Sequence, residues 1–85
     1  MKPRVLLISW NEGYAKQQAA RYEREGWEVI LESEDGGRAY NLAAEKKPHA
    51  IAVYMAYKAK HGIETARAIH ARKSTSDIPV IFVYQ

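Results

Sequence analysis

The stretch Arg4-Val5-Leu6-Leu7-Ile8-Ser9 determines how the remaining sequence is interpreted. Its four consecutive large apolar residues form a run of strand length, which is typical of a strand buried on both faces within a parallel sheet. A strand with one solvated face would instead alternate apolar and polar residues. We therefore predict that residues 4–9 form a central strand with helices on both sides.

After this strand the pattern becomes helical and then strand-like again. Across residues 13–25, Ala15, Ala19 and Tyr22 recur at the spacing of one helix face, which predicts a first helix. Residues 27–33 alternate large apolar residues with glutamates for most of their length. That alternation predicts a second strand that is less buried than the first, at an edge of the sheet.

A turn and a second helix follow the second strand. Residues 33–37 read Ser-Glu-Asp-Gly-Gly, a turn in which Asp35 is available to cap the helix after it. Ala39 and Ala43 lie on one side of that helix. Pro48 ends it, because the residue before a proline disfavours the helical conformation.

The same alternation continues to the end of the chain. The predicted segments are, in order, a buried strand at 49–55, a polar and basic loop at 56–62, a third helix, a turn at 74–77 and a final strand at 78–84. Ile63, Ala66, Ile69 and His70 mark the amphipathic face of the third helix. Strands and helices in the order βαβαβαβ predict an α/β fold with a parallel sheet built by right-handed crossovers.

The composition fits one domain. The 85 residues are 47% hydrophobic and 27% charged, which is ordinary for a globular chain. Cysteine is absent, so disulfides and thiolate nucleophiles are excluded. The absence of cysteine is compatible with a reducing compartment. The longest apolar run is far shorter than the roughly 18 residues of a membrane span. We predict a single domain, residues 1–85, in the cytoplasm and not in a membrane.

The charge pattern leaves two interpretations open. The formal net charge is +3 and the pI is about 9.3, but the cations are interleaved with glutamates. This arrangement is typical of a solvated surface of mixed charge. The alternative is a basic nucleic-acid-associated domain, whose candidate contacts are Lys58, Lys60, Arg67, Arg72 and Lys73.

Several segments together resemble a response-regulator receiver domain over essentially the whole chain. They are Arg4-Val-Leu-Leu-Ile at the first strand, Gly26-Trp-Glu-Val before the second, Glu34-Asp-Gly-Gly-Arg-Ala at the second helix, Lys47-Pro-His-Ala-Ile-Ala-Val at the third strand and Asp77-Ile-Pro-Val-Ile at the fourth. The resemblance implies a flavodoxin-like, three-layer open parallel sheet with strand order 2-1-3-4. It also implies that the fifth strand and the last two helices of a receiver are missing.

The resemblance implies further that the phosphorylation chemistry of receivers is absent. Receivers bind Mg²⁺ with acidic residues after the first strand and accept a phosphoryl group on an aspartate that ends the third. Ser9 and Trp10 stand at the first of these places, Tyr54 at the second, and Tyr84 replaces the switch hydroxyl after the fourth strand. Mg²⁺ prefers carboxylate oxygens, and a phenol cannot form the mixed anhydride that an aspartate forms. We predict a degenerate receiver site with no metal, no cofactor and no aspartyl phosphotransfer.

Aromatic residues take the place of the acids at this edge. Ligands of open parallel sheets bind beyond the carboxyl ends of the strands, so Ser9, Trp10, Tyr54 and Tyr84 are expected to converge there. They form either a surface for a small molecule or partner, or a filling for a vacated metal pocket. An enzyme would have Glu12 as its only nearby carboxylate. One acid without a poised partner is a poor basis for catalysis, so we assign no catalytic residue.

A cationic loop lies beside the same edge. Lys58, Lys60 and His61 place three potentially positive groups there, which would suit a phosphate or an acidic side chain of a partner. The simpler alternative is that this loop is only solvated.

The final strand carries the functional prediction. Val80, Ile81, Phe82 and Val83 form an uncharged apolar edge if the sheet ends there. Natural proteins usually charge, bulge or cover such an edge, because its unpaired backbone groups bind other chains. We therefore predict a homodimer or a complex with a partner protein, and a phosphorylation-independent protein-interaction or assembly module. The alternative is an engineered or truncated receiver-like fragment with no function of its own.

Overall fold

The computed structural model describes residues 2–84. The elements in chain order are β1 (Arg4–Ile8), α1 (Glu12–Arg24), β2 (Glu28–Glu32), α2 (Gly36–Lys46), β3 (Ala50–Tyr54), α3 (Ala59–Ala71) and β4 (Val80–Val83). This is the βαβαβαβ order that the sequence predicts. None of the helices in this part of the chain is long and apolar enough to cross a membrane.

The four strands form one parallel sheet in the order β2-β1-β3-β4, as predicted. β1 is central and pairs with β2 on one side and β3 on the other, while β2 and β4 are the edges. Leu6, Leu7 and Ile8 are completely buried, which confirms the interpretation of the first apolar run.

Helices cover both faces of the sheet, which gives the predicted three layers. On one face, Ala15 and Ala19 of α1 pack against a cluster that includes Val5, Leu7 and Ala52. On the other face, α2 and α3 pack against alternate residues of the same strands, and the members of that cluster include Leu6, Ile8, Ala39, Ala43, Ile51, Val53, Ala66 and Ile69. Alanine at the helix contacts lets the helices approach the sheet closely.

Two helices begin at side-chain caps. The Asn11 side chain accepts a hydrogen bond from the Tyr14 amide at 2.8 Å, and Asp35 accepts one from the Gly37 amide at 2.7 Å, which confirms the predicted cap. α2 ends at Lys46, and Lys47 adopts a left-handed conformation (φ 47°) immediately before Pro48. The predicted end of that helix is therefore correct.

The third helix begins earlier than the sequence suggested. A loop over residues 56–62 was predicted, but α3 starts at Ala59, so Lys60 and His61 are helical. Gly62, which indicated a loop, is buried inside the helix, and a Cβ atom there would lie 2.9 Å from Val53 Cγ1. The glycine permits close contact between α3 and β3 and does not end a helix.

The inward face of α3 also differs from the prediction. Ile63 is 40% exposed and His70 is exposed, whereas Thr65 joins Ala66 and Ile69 in the interior. Compared with the prediction, α3 is rotated about its axis. The close contact between Gly62 and Val53 determines which side of α3 lies on the sheet. Ile63 is thereby turned toward the outer part of β4.

Candidate functional site

Ser9, Trp10 and Tyr54 lie at the carboxyl edge of the sheet, as predicted, but not in one pocket. Ile8 is in register with Val53, so β1 and β3 end side by side. Successive side chains of a strand point to opposite faces, so Trp10 follows Ile8 to the side of α2 and α3, and Tyr54 follows Ala52 to the side of α1. The expected convergence of these aromatic residues is wrong for this reason.

Ser9 directly follows β1 and precedes Trp10. It is fully buried, and its amide donates to the Glu32 carbonyl at 3.2 Å, which extends the β1–β2 ladder by one residue. Its hydroxyl has no hydrogen-bond partner among the residues that the structure describes. Ser9 therefore continues the sheet where receivers carry an acidic residue.

Tyr54 belongs to a cluster of tyrosines against α1. Its ring packs edge-on against Tyr14 at 5.7 Å between centroids, and Tyr14 in turn contacts Tyr57 at 5.5 Å. The Tyr54 hydroxyl lies 3.4 Å from the Tyr22 hydroxyl. Burial raises the pKa of Tyr54, and the hydrogen bond to Tyr22 adds to the effect. At neutral pH this phenol is uncharged and tightly packed, so it is a poor nucleophile.

The raised pKa of Tyr54 makes the stability of the fold sensitive to alkaline pH. The unfolded chain ionises this phenol above its ordinary value of 10.0, whereas the folded chain keeps it protonated. We expect the free energy of unfolding to be insensitive to Tyr54 below that value and to decrease as the pH rises above it. Urea unfolding of Tyr54→Phe and the parent chain between about pH 8 and pH 11 measures this, and the variant should lose less stability. Parallel curves for the two chains would contradict the assignment.

Trp10 lines a cavity on the opposite face. This cavity, of about 480 Å³, lies between the N-terminal ends of α2 and α3. The Trp10 and His61 rings stack with centroids 6.0 Å apart, and Lys58 is also at the wall. Three acidic residues, Glu34, Asp35 and Glu64, line the same cavity. Lys60 does not line the cavity, so the predicted cationic group of Lys58, Lys60 and His61 is divided and partly balanced by acids.

Glu32 is a buried carboxylate that the sequence interpretation missed. It is 7% exposed, and its Oε2 accepts hydrogen bonds from the amides of Glu34 and Asp35, each at 2.9 Å. Its Oε1 lies 3.4 Å from Arg38 Nε. Alternation along the second strand suggested a solvated glutamate. The sequence did contain an indication of this role, because a turn follows Glu32. The amides two and three residues after a glutamate at such a turn lie within reach of its side chain.

β4 forms an edge of the sheet, as predicted. The Pro79 carbonyl accepts a hydrogen bond from the Ile51 amide of β3 at 2.9 Å. The Val83 carbonyl accepts one from the Met55 amide, directly after β3, also at 2.9 Å. Because backbone groups alternate in direction along a strand, those of Val80 and Phe82 face outward. Within residues 2–84 no further strand pairs with this edge.

Both faces of β4 are open as well. Phe82 is 39% exposed and Ile81, on the opposite face, is 53% exposed. Beside Phe82 lies a groove of about 680 Å³ between α3 and β4, which we call the α3–β4 groove. Its walls are Ile63, Ala66, Arg67, His70, Ser76, Asp77, Ile78, Pro79, Val80, Phe82 and Tyr84. Tyr84, expected at the degenerate receiver site, lies in this groove and is 73% exposed.

The cations considered for nucleic-acid binding do not form one patch. Lys58 lines the cavity beside Trp10, whereas Arg67 lines the α3–β4 groove. The Arg72 guanidinium lies over the Tyr40 ring, 4.5 Å from its centroid. Arg72 is thus engaged within the chain, Lys60 lies in the first turn of α3, and Lys73 follows the end of that helix.

No protein-family model and no curated protein matches this sequence. Solved structures do match it. A two-component response regulator of the LuxR family from Aurantimonas sp. SI85-9A1 matches with a TM-score of 0.79 and 24% identity, over 99% of this chain and 59% of that chain. A response regulator from Desulfuromonas acetoxidans matches with a TM-score of 0.79 and 20% identity, over 96% of this chain and 66% of that one.

A third match is the signal receiver domain of a modulated diguanylate cyclase from Desulfovibrio desulfuricans G20. Its TM-score is 0.79 and its identity 26%, over 98% of this chain and 65% of that chain. The present chain therefore spans 59% to 66% of the length of these three structures. The strand order, the three helices and these matches agree, and this chain has the flavodoxin-like fold of a response-regulator receiver domain through its fourth strand.

Proposed function

We propose that this chain is a receiver-like protein-interaction module that associates through the β4 edge and carries out no aspartyl phosphotransfer. The observation that carries the proposal is the apolar strand Val80–Val83, whose outward backbone groups and side chains on both faces are left exposed by residues 2–84. Such an edge binds other chains through main-chain hydrogen bonds, and its side chains provide specificity. The cysteine-free sequence supports a cytoplasmic location for this module.

The residues at the carboxyl edge support the second half of the proposal. A phosphoryl acceptor of the receiver type needs a carboxylate at the end of β3, and Tyr54 is a buried, uncharged phenol there. Ser9 and Trp10 supply no carboxylate for Mg²⁺. A module with this edge would signal through what it binds and not through its own phosphorylation.

A phosphotransfer assay tests the chemistry. We expect no covalent phosphate after incubation of the chain with Mg²⁺ and acetyl phosphate, as measured by intact mass spectrometry. An active receiver domain in the same buffer serves as the positive control. A phosphorylated fraction that disappears in Tyr54→Phe, or that maps to an aspartate, would overturn this half of the proposal.

Sedimentation tests the association. We expect the parent chain to form a complex heavier than a monomer at micromolar concentration, because pairing buries Ile81 and Phe82. Ile81→Lys places a charge on the edge and should return the chain to a monomer. Glu28→Lys, at the exposed start of the other edge strand, is the matched control and should leave the mass unchanged. A parent chain that stays monomeric and binds no protein would contradict the function.

A further inference from the structure

We infer that the cavity beside Trp10 is a binding site for a guanidinium group, the planar cation of arginine and of small molecules such as agmatine. The cavity has a volume of about 480 Å³, which is within the range of small-ligand sites. All of its lining residues lie between positions 10 and 68, so β4 contributes nothing to it. The inference is therefore independent of what the β4 edge binds.

Thr65 supplies a buried polar group to the wall of this cavity. It is 8% exposed and is one of the lining residues. Its hydroxyl is not hydrogen-bonded to any residue between positions 2 and 84. The hydroxyl lies over Gly36, because a Cβ atom on that glycine would be 2.6 Å from Thr65 Oγ1. Glycine at the start of α2 thus leaves this acceptor open to a ligand.

Negative charge predominates around the cavity. Its lining includes three carboxylates and one lysine: Glu34, Asp35, Glu64 and Lys58. The N-terminal ends of α2 and α3 add about half a positive charge each, so an excess of roughly one negative charge remains. Arg38 does not remove this excess, because it pairs with the buried Glu32 as well as with Glu34. The cavity therefore favours a cation.

Two of these carboxylates have oxygens available to a ligand. Within residues 2–84, Glu64 has no ion-pair partner. Asp35 accepts the amides of Gly37 and Arg38 through Oδ1, which leaves Oδ2 for a ligand. With the Thr65 hydroxyl, α3 and the start of α2 offer three separate acceptors. A guanidinium has five N–H donors in one plane and can bind several acceptors at once.

Aromatic rings in the wall favour a planar cation over an ammonium ion. Trp10 is stacked with His61 at an interplanar angle of 21°, and both line the cavity. Tyr40, another lining residue, already binds a guanidinium within the chain, since Arg72 Cζ lies 4.5 Å from its ring centroid. A guanidinium stacks on such rings and is more weakly hydrated than an ammonium ion. Rings and carboxylates thus match the face and the edge of the same group.

Titration with agmatine tests the inference, with Trp10 as the reporter. The other tryptophan, Trp27, packs against Tyr22 on the face of α1, so a Trp27→Phe chain keeps Trp10 as its only tryptophan. At low salt we expect agmatine to change the Trp10 fluorescence saturably, with a Kd of roughly 0.1–1 mM. Cadaverine, a diamine of equal charge without a planar group, should bind at least about fivefold more weakly. Inorganic phosphate should leave the fluorescence unchanged.

Four further substitutions in this chain locate the site. Glu64→Gln removes an exposed carboxylate and should weaken agmatine binding at least about threefold. Lys58→Asn removes the opposing charge at a left-handed position (φ 48°) that asparagine tolerates, and it should tighten binding about twofold. Thr65→Val keeps the side-chain shape without the hydroxyl and should weaken binding. Glu45→Gln, on α2 but outside the cavity wall, is the matched control and should leave the affinity unchanged.

The outcomes decide between the classes of ligand. A lack of saturable agmatine binding would overturn the inference, and so would equal affinity for cadaverine. Binding of phosphate that Lys58→Asn weakens would make the cavity an anion site. Unchanged affinity in both Glu64→Gln and Thr65→Val would place agmatine elsewhere on the chain. An acetylated Gly-Arg-Gly amide identifies the source of the group, because tighter binding than agmatine assigns it to a partner protein and weaker binding to a free small molecule.

Discussion

Replacement of Glu32 by alanine is expected to lower the free energy of unfolding by about 2–3 kcal/mol, because two backbone amides at the start of α2 lose a charged acceptor. The carboxylate is 7% exposed and binds the Glu34 and Asp35 amides at 2.9 Å. Arg38, whose Nε lies 3.4 Å from Glu32 Oε1, loses its buried partner as well. Glu32→Gln retains a neutral acceptor and should lose less stability.

Glu34→Ala is the matched control for this change. Glu34 also pairs with Arg38, at 3.5 Å, but its side chain is 72% exposed. Exposed ion pairs contribute little, so we expect a change within about 0.5 kcal/mol. Urea denaturation of the three variants measures both effects, and the Tm of Glu32→Ala should fall by roughly 10 °C or more. Equal losses for Glu32→Ala and Glu34→Ala would show that the buried hydrogen bonds do not hold the β2–α2 turn.

Replacement of Gly62 by leucine is the second change with a large expected effect. A Cβ atom at this position would lie 2.9 Å from Val53 Cγ1 and 3.5 Å from Met55 Sδ. Val53 is fully buried and β-branched, so it cannot move aside easily. Overpacking of this kind costs about 3 kcal/mol, more than the roughly 1 kcal/mol that leucine gains over glycine in a helix. We therefore expect a net loss of about 2 kcal/mol or more.

The same substitution at Gly13 provides the control. Gly13 lies in the first turn of α1, and its added Cβ would meet only Asn11 Oδ1, at an ordinary 3.7 Å. We expect Gly13→Leu to leave stability unchanged or to raise it by up to about 1 kcal/mol. Thermal unfolding of both variants measures the difference. A Gly62→Leu chain as stable as the parent would mean that α3 can move away from β3 at little cost.

The sequence predicted the order of strands and helices because each strong pattern has one explanation. The short apolar run at Leu6, Leu7 and Ile8 has the length of a strand covered on both faces, and Asp35 before two glycines is typical of a helix cap. The strand order followed from the resemblance to receivers. The order of strands and helices depends on patterns among residues that are close together in the sequence, and such patterns can be recognised without the structure.

The start of α3 and the composition of the site depend on contacts between distant segments. Gly62 indicates a loop when it is considered locally, and only its contact with Val53 explains a glycine inside a helix. Trp10 and Tyr54 were expected together because both lie at the carboxyl ends of central strands. Their separation depends on which face of the sheet each side chain occupies. That assignment requires the register between β1 and β3, which the sequence alone does not give.

The parallel sheet has a consequence for how the chain reaches its fold. The Arg4 amide donates to His49 Nδ1 across 45 positions of the sequence, and each pair of adjacent strands is joined through at least one helix. No strand pair can therefore form as a local hairpin, and loop closure must precede each pairing. During synthesis, β1 emerges before β2 and β3, and both of its edges are paired only after β3 has been made. Until then its apolar run is open to other nascent chains, which favours aggregation in the interval between the synthesis of β1 and that of β3.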